Sequence, residues 1–344
     1  MTSKAVSNAN ALNGATISVV DSGKLTISQN AGTLGASILF GGQKAVKVAT
    51  FDLAATNDGV KLTDLYVKTV AGSADLNRFS SIKLVNGSDT VAVGVVEGTG
   101  LIKFESISTK NQIDASKTNS YSIILDVSDV VNSTDVSANT IKFALDTTSA
   151  NWAAGTIGGV RATSASNGAI ITSVVDSTAG ALSKTHKIAR ATIVVSSVAT
   201  TTTSTNVAQV AVRSWGYKSQ LTGISYTFSN VSGASSIQVY KDTETPGNLV
   251  YSGAYAANGT IYFTSPVEVA QSTSTSDVPT QLIIKMQGAT PVVAGNNFLK
   301  RTFALTNVLY VDYFDDTAYA HSAYTDASTY INTGTFPMNF EYSY

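Results

Sequence analysis

The side chains of this 344-residue chain that could do chemistry are few, and their spacing suits no reaction well. His186 and His321 are its two imidazoles. Neither has the neighbouring Ser and Asp pattern of a nucleophilic triad, which works only when three groups are matched in geometry. Both are expected at the surface. Glu97 and Glu105 form a carboxylate pair of the sort glycoside hydrolysis uses. A second copy of the sequence pattern, described below, has Ala256 or Ala257 near the first position and Thr264 at the second, so the pair is not repeated. Asp126-Val-Ser-Asp129 with Asp135, and Asp312 with Asp315-Asp316, come nearest to a calcium loop. A hard cation wants several oxygens from one loop. The spacing follows no EF-hand pattern and Met286 replaces Asp126 in the second copy, so these read as solvated loop acids. Tyr240, Tyr251, Tyr255 and Tyr262 would suit stacking on a sugar, although alternating tyrosines are also ordinary strand residues. Cysteine is absent, which excludes disulfides, thiolate metal sites and cysteine nucleophiles. The expectation is a protein that is not an enzyme and has no cofactor and no metal site.

The elements that carry these side chains read as strands. Val48-Ala-Thr-Phe-Asp-Leu-Ala-Ala55 alternates with a period of two, and so does Val60-Lys-Leu-Thr-Asp-Leu-Tyr-Val-Lys68. Asn57-Asp-Gly59 between them is a favoured corner, and the whole of 48–69 reads as a hairpin. Ser81-Ile-Lys-Leu-Val85 ends at Asn86-Gly87, a hairpin dipeptide, and Thr90-Val-Ala-Val93 continues beyond it. No segment sustains a helical apolar stripe. The fold class is all-β.

The pattern occurs twice. Asn13-Gly-Ala returns as Asn167-Gly-Ala, and Val19-Val-Asp-Ser22 returns as Val174-Val-Asp-Ser177. Ala49–Ala55 answers to Ala208–Ser214, Leu62–Leu65 to Leu221–Ile224, and Ser80–Leu84 to Ser235–Val239. Gly100–Ser106, Ile123-Ile124 and Phe143–Leu145 match Gly259–Ser265, Ile283-Ile284 and Phe303–Leu305. The reading is two tandem immunoglobulin-like antiparallel β-sandwich domains with an aromatic C-terminal strand. Residues 1–12 form a flexible arm or an assembly strand, 13–165 the first repeat, 166–312 the second, and 313–344 an aromatic extension. Trp152, in the short junction, is the candidate for interdomain contact.

The last nine residues alternate strictly. Phe336, Met338, Phe340, Tyr342 and Tyr344 would line one face of a terminal strand. Water is a poor home for that face, since burying a large apolar side chain is worth ~1.5–3 kcal/mol. The strand either folds back onto the second sandwich or is donated as an assembly strand to a neighbouring subunit.

Composition bounds the partners. Charged residues are 13 % of the chain and the net charge is −1. Such a surface has no long-range field to gather nucleic acid or an acidic membrane. No run approaches ~18 consecutive apolar residues, so no membrane-spanning helix is expected. The first residues lack the apolar run of a signal peptide, which fits a chain whose leader has been removed or one that is never exported.

Lys47–Leu65, with Ser81-Ile-Lys-Leu-Val-Asn-Gly87, resembles the tandem immunoglobulin-like modules of large prokaryotic surface proteins, including surface-layer proteins. The likeness covers most of 13–312 and lies in the core pattern, so it carries over no site residues. It implies an extracellular, cell-surface, mainly structural protein whose partners are copies of itself (a homopolymer), with cell-wall or surface glycan as a further partner. The leading expectation is self-assembly into a surface layer or filament. An adhesin or carbohydrate-binding module is the alternative, and a virion structural protein the next.

Overall fold

The computed structural model describes residues 23–30, 35–70, 76–98, 100–108, 111–128, 139–198, 206–290, 293–294, 297–314, 317–322 and 336–342. The chain opens with β1 (Lys24–Gln29), β2 (Ile38–Phe40), β3 (Val46–Thr56), β4 (Val60–Thr69), β5 (Phe79–Asn86), β6 (Asp89–Val93) and β7 (Val95–Glu97). There follow β8 (Leu101–Phe104), β9 (Gln112–Ile113), β10 (Thr118–Val127), β11 (Asn139–Ile141), β12 (Phe143–Leu145), β13 (Val160–Ser164), β14 (Ser173–Asp176) and β15 (His186–Ala189). The second half contributes β16 (Thr192–Ser197), β17 (Asn206–Trp215), β18 (Ser219–Ser229), β19 (Ser236–Lys241), β20 (Leu249–Ala254), β21 (Asn258–Val269) and β22 (Gln271–Ser272). It ends with β23 (Thr280–Gln287), β24 (Val293–Ala294), β25 (Asn297–Phe298), β26 (Arg301–Phe314), β27 (Thr317–Ser322) and β28 (Met338–Tyr342). The protein is all-β, built as immunoglobulin-like sandwiches.

The period-two pattern of β3 explains its place. Ala49, Phe51, Leu53 and Ala55 are buried while Thr50, Asp52 and Ala54 are half-buried on the other face. One sheet of the first sandwich runs β14-β1-β3-β10-β5-β6, and the facing sheet runs β12-β4-β8-β7 with β13 and β9 also on β4. The second sandwich repeats this order. β16-β17-β23-β19-β20 stands for β1-β3-β10-β5-β6, and β26-β18-β21 stands for β12-β4-β8. The tandem pattern in the sequence is thus a repeat of strand order, not only of apolar letters.

Two expectations need correction. The stretch 48–69 is not a hairpin: β3 and β4 lie in different sheets, and the turn between them passes from one sheet to the other. Both strands bury an apolar face, and each finds the other's face across the sandwich instead of its edge. Asp58 holds the crossing, accepting hydrogen bonds from the hydroxyls of Ser164 and Ser166 and from Gly59 N–H. Those bonds, Ser164 first, hold its carboxyl below the usual range. The stretch 79–93, by contrast, is a hairpin as expected, with β5 antiparallel to β6.

The second correction concerns 166–189, assigned on sequence to the second repeat. β14 pairs in parallel with β1, Lys24 opposite Ser173 through Ile27 opposite Asp176. β15 sits between β11 and β2. Ile171, Leu182 and Ile188 belong to the first apolar core, and the second core begins at Ile193. The change of core therefore falls near residue 190 and not at 165/166. The sequence match at 167–177 is real, but this copy ends in β14, an edge strand laid on the sandwich before it, while its match at 13–22 lies outside the described residues.

Candidate functional site

The chemically capable residues are spread over separate structural tasks. His186 is fully buried, not at the surface. Its Nδ1 accepts from Ser37 N–H at 3.2 Å and lies 2.8 Å from the Ser37 hydroxyl, and its Nε2 lies 2.8 Å from Val48 O. The Ser37 amide can only donate and the Val48 carbonyl can only accept. The ring is therefore neutral with its proton on Nε2, pinning β15 to β2 and β3. Burial pushes its pKa below the ordinary 6.5, against a smaller upward pull from Val48 O. The unfolded chain thus binds a proton on this ring at a higher pH than the folded one does. Stability carried by the neutral ring is present above about 6.5 and is lost as pH falls through the depressed value. Urea midpoints measured from pH 7.5 downward should fall across this window in the native chain and fall less steeply in His186→Gln; equal slopes would remove His186 as the cause. His321 lies in β27, and its side chain is outside the described residues.

The carboxylates are engaged one by one. Glu97 pairs with Lys103 at 2.8 Å. Glu105 accepts from the Tyr66 hydroxyl at 2.8 Å, and burial together with that carboxylate pushes the Tyr66 phenol up to about 12. Asp126 accepts from Ala45 N–H at 2.7 Å, while Asp129, Asp135, Asp315 and Asp316 lie outside the described residues. Asp312 is buried and accepts from Ala191 N–H at 3.2 Å. Among the described residues no group of three His, Asp or Glu could hold a metal ion. No helix among them is long and apolar enough to cross a membrane.

The tyrosines do not form one platform. Tyr251 and Tyr255 pack on the second core, Tyr240 donates to Gln238, and Tyr262 on β21 is 68 % exposed. The C-terminal strand is paired within its own chain: β28 runs antiparallel to β26, Arg301 opposite Tyr342 through Leu305 opposite Met338. Phe340 is buried, Phe336 and Met338 pack on the same core, and Lys300 bridges Glu341 at 2.7 Å. The Tyr342 side chain and all of Tyr344 lie outside the described residues.

Trp152 closes the short turn Ser149–Asn151, its N–H donating to Ser149 O. Its ring is half-buried and its indole N–H is buried without a partner. Contacts that join the halves are found at other residues. Gly216, in the β17–β18 turn, sits against Arg190 O and Phe40 so tightly that a Cβ there would lie 2.4 Å from that carbonyl. The Arg190 guanidinium lies 3.7 Å over the Tyr217 ring. Nothing in the apolar periodicity marks Phe40, Arg190 or Tyr217. The Gly in Trp215-Gly-Tyr217 was the available signal, since its φ of +88° favours glycine.

The joint leaves one edge unlike its counterpart. In the first sandwich β14 covers the outer edge of β1. In the second, no strand among the described residues covers the outer edge of β16.

No family model matches the chain, and no curated protein does. Among solved structures, a cohesin from Archaeoglobus fulgidus is 12 % identical, covering 49 % of this chain and 91 % of its own, with a TM-score of 0.23. The C-terminal domain of the antigen I/II-family protein AspA of Streptococcus pyogenes is 11 % identical over 94 % of this chain and 99 % of its own, at 0.21. A variant of the major pilin subunit of Bacillus cereus is 12 % identical over 93 % of this chain and 67 % of its own, at 0.22.

Proposed function

We propose that this chain is a non-enzymatic structural protein of the cell exterior that assembles with copies of itself into a surface layer or filament. The observation that supports this most is the way one sandwich is joined to the next. β14 and β15, the strands just before the second sandwich, are hydrogen-bonded into sheets of the first. Tension on the chain therefore enters the first sandwich through β15, which is held on both sides by backbone ladders, and only Arg190 and Ala191 separate it from β16. Polar side chains serve the same end. Asp176 caps the turn after β14 by accepting from Thr178 N–H at 2.7 Å and Gly180 N–H at 3.0 Å. Asp277 accepts from Thr273 and Ser274 N–H, which hold its carboxyl below the usual range. A chain stiffened in this way suits a repeating, tension-bearing array. Negative-stain microscopy and sedimentation of the purified protein test the reading. Filaments or sheets are expected, and a monomer at every concentration would overturn it.

A second reading, a surface-glycan binding module, draws on the exposed Tyr262. A glycan bound by the native chain and released by Tyr262→Ala would favour it over assembly.

A further inference from the structure

We propose that Ser18–Asp21 of one chain adds as a parallel strand to the free edge of β16 in the second sandwich of another copy, joining subunits head to tail. The inference rests on the self-assembly reading and names its contact.

The precedent lies within the chain. β14 lies parallel on β1 with Leu25 opposite Val174, and Ser177 N–H extends the ladder to Ile27 O at 2.8 Å. Val174 packs on the first core beside the buried Leu25 and Ile27. β16 is the counterpart of β1. Lys24 through Gln29 face Thr56 through Phe51 of β3, and Thr192 through Ser197 face Trp215 through Val210 of β17. With Ala49 matched to Ala208, those are the same register positions. Leu25 and Ile27 correspond to Ile193 and Val195, which are also buried.

The edge of β16 is ready for a strand. Val198 N–H points inward to Gln209 O, so by alternation the backbone groups of Ile193, Val195 and Ser197 point outward. The corresponding outward carbonyl in the first sandwich is Ile27 O, the one that accepts from Ser177. An uncovered row of donors and acceptors is a template for an added strand.

The sequence supplies the donor. Ser18-Val-Val-Asp-Ser22 is identical to Ser173-Val-Val-Asp-Ser177. The rule inside the chain is that the strand preceding one sandwich completes the sandwich before it. Ser18–Asp21 precedes the first sandwich as Ser173–Asp176 precedes the second, and the edge that matches it among the described residues is that of β16, offered by another copy. The contact is heterologous, with the donor segment at one end and the β16 edge at the other, and such contacts propagate into filaments. The inferred register sets Val19 opposite Ile193, Val20 opposite Val194 and Asp21 opposite Val195. Ile193 O then accepts from Val20 N–H, and Val195 O from Ser22 N–H.

The absence of cysteine allows a clean test. Chains carrying Val20→Cys are mixed with chains carrying Val194→Cys and oxidised. A disulfide dimer is expected in at least tenfold excess over a mixture of Val20→Cys with Ser252→Cys on the far edge strand β20. Val20→Pro with Ser22→Pro removes the two donating N–H groups and should lower the sedimenting fraction at least tenfold. Its melting temperature should be unchanged, because β1 begins only at Lys24. Polymers that survive the proline pair without preferential cross-linking overturn this contact and leave self-assembly standing. A native chain that neither polymerises nor cross-links overturns both. A disulfide formed inside one chain carrying both cysteines, and not between mixed chains, overturns the contact in favour of self-capping.

Discussion

Phe303→Ala is expected to remove about 3–5 kcal/mol from the second sandwich, the usual cost of emptying a large aromatic site in a core. Phe303 is fully buried, with the Phe228 ring at 5.0 Å, Phe340 at 6.0 Å and Tyr226 at 6.2 Å. These rings come from β18, β26 and β28, so the cavity would lie where three strands meet and could not collapse without moving one of them. Ending the chain after Thr335 should produce a loss of similar kind, since it strips Phe340 from the same cluster. Chemical denaturation followed by tryptophan emission measures both. A midpoint unchanged by Phe303→Ala would mean that this face is not a packed core. The truncated chain also separates two roles for the C-terminal strand. If β28 is a component of its own sandwich, truncation lowers stability before it affects polymerisation. If polymerisation is abolished while stability is unchanged, the strand acts between subunits.

Gly216→Val should open the joint. Its φ of +88° costs an L-residue about 1–2 kcal/mol, and the added Cβ would press on the Arg190 carbonyl, a backbone atom that no rotamer change can move aside. Relief requires the β17–β18 turn to withdraw from Phe40 and Arg190, taking Tyr217 from under the guanidinium. Trp215 adjoins the site and reports on it. The expected results are a red-shifted emission and new proteolysis between Ala189 and Thr192, with both sandwiches still folded. Unchanged emission and protease resistance would show that the joint does not depend on this close approach.

The two substitutions probe features that differ in how legible they were. Phe303 was named from the match between Phe143-Ala-Leu145 and Phe303-Ala-Leu305, and both phenylalanines are fully buried. Gly216 falls in the gap between the matched stretches Ala208–Ser214 and Leu221–Ile224, where the repeat carries no information. Its importance comes from Arg190 and Phe40, which lie far from it along the chain. The C-terminal alternation correctly indicated that Phe336, Met338 and Phe340 share an apolar face, and that pattern left two partners open. The surface placement of His186 failed for a related reason. A lone imidazole carries no periodic signal, and its burial depends on Ser37, just before β2, and Val48 of β3 coming to it from elsewhere in the chain.

Alternation of apolar and polar residues determined the class of this protein, its strands and the twofold repeat of its core, because a side chain's face on a strand follows from its position alone. Only the tertiary structure decided which edges meet. It placed β3 and β4 in facing sheets, gave β14 and β15 to the sandwich before them, and left β16 with no outer neighbour among the described residues where β1 has β14. Side-chain pattern says what must be buried and is silent on the partner. Pairing is made by backbone N–H and C=O groups that are the same in every strand, so register and neighbour emerge only when the whole chain has packed.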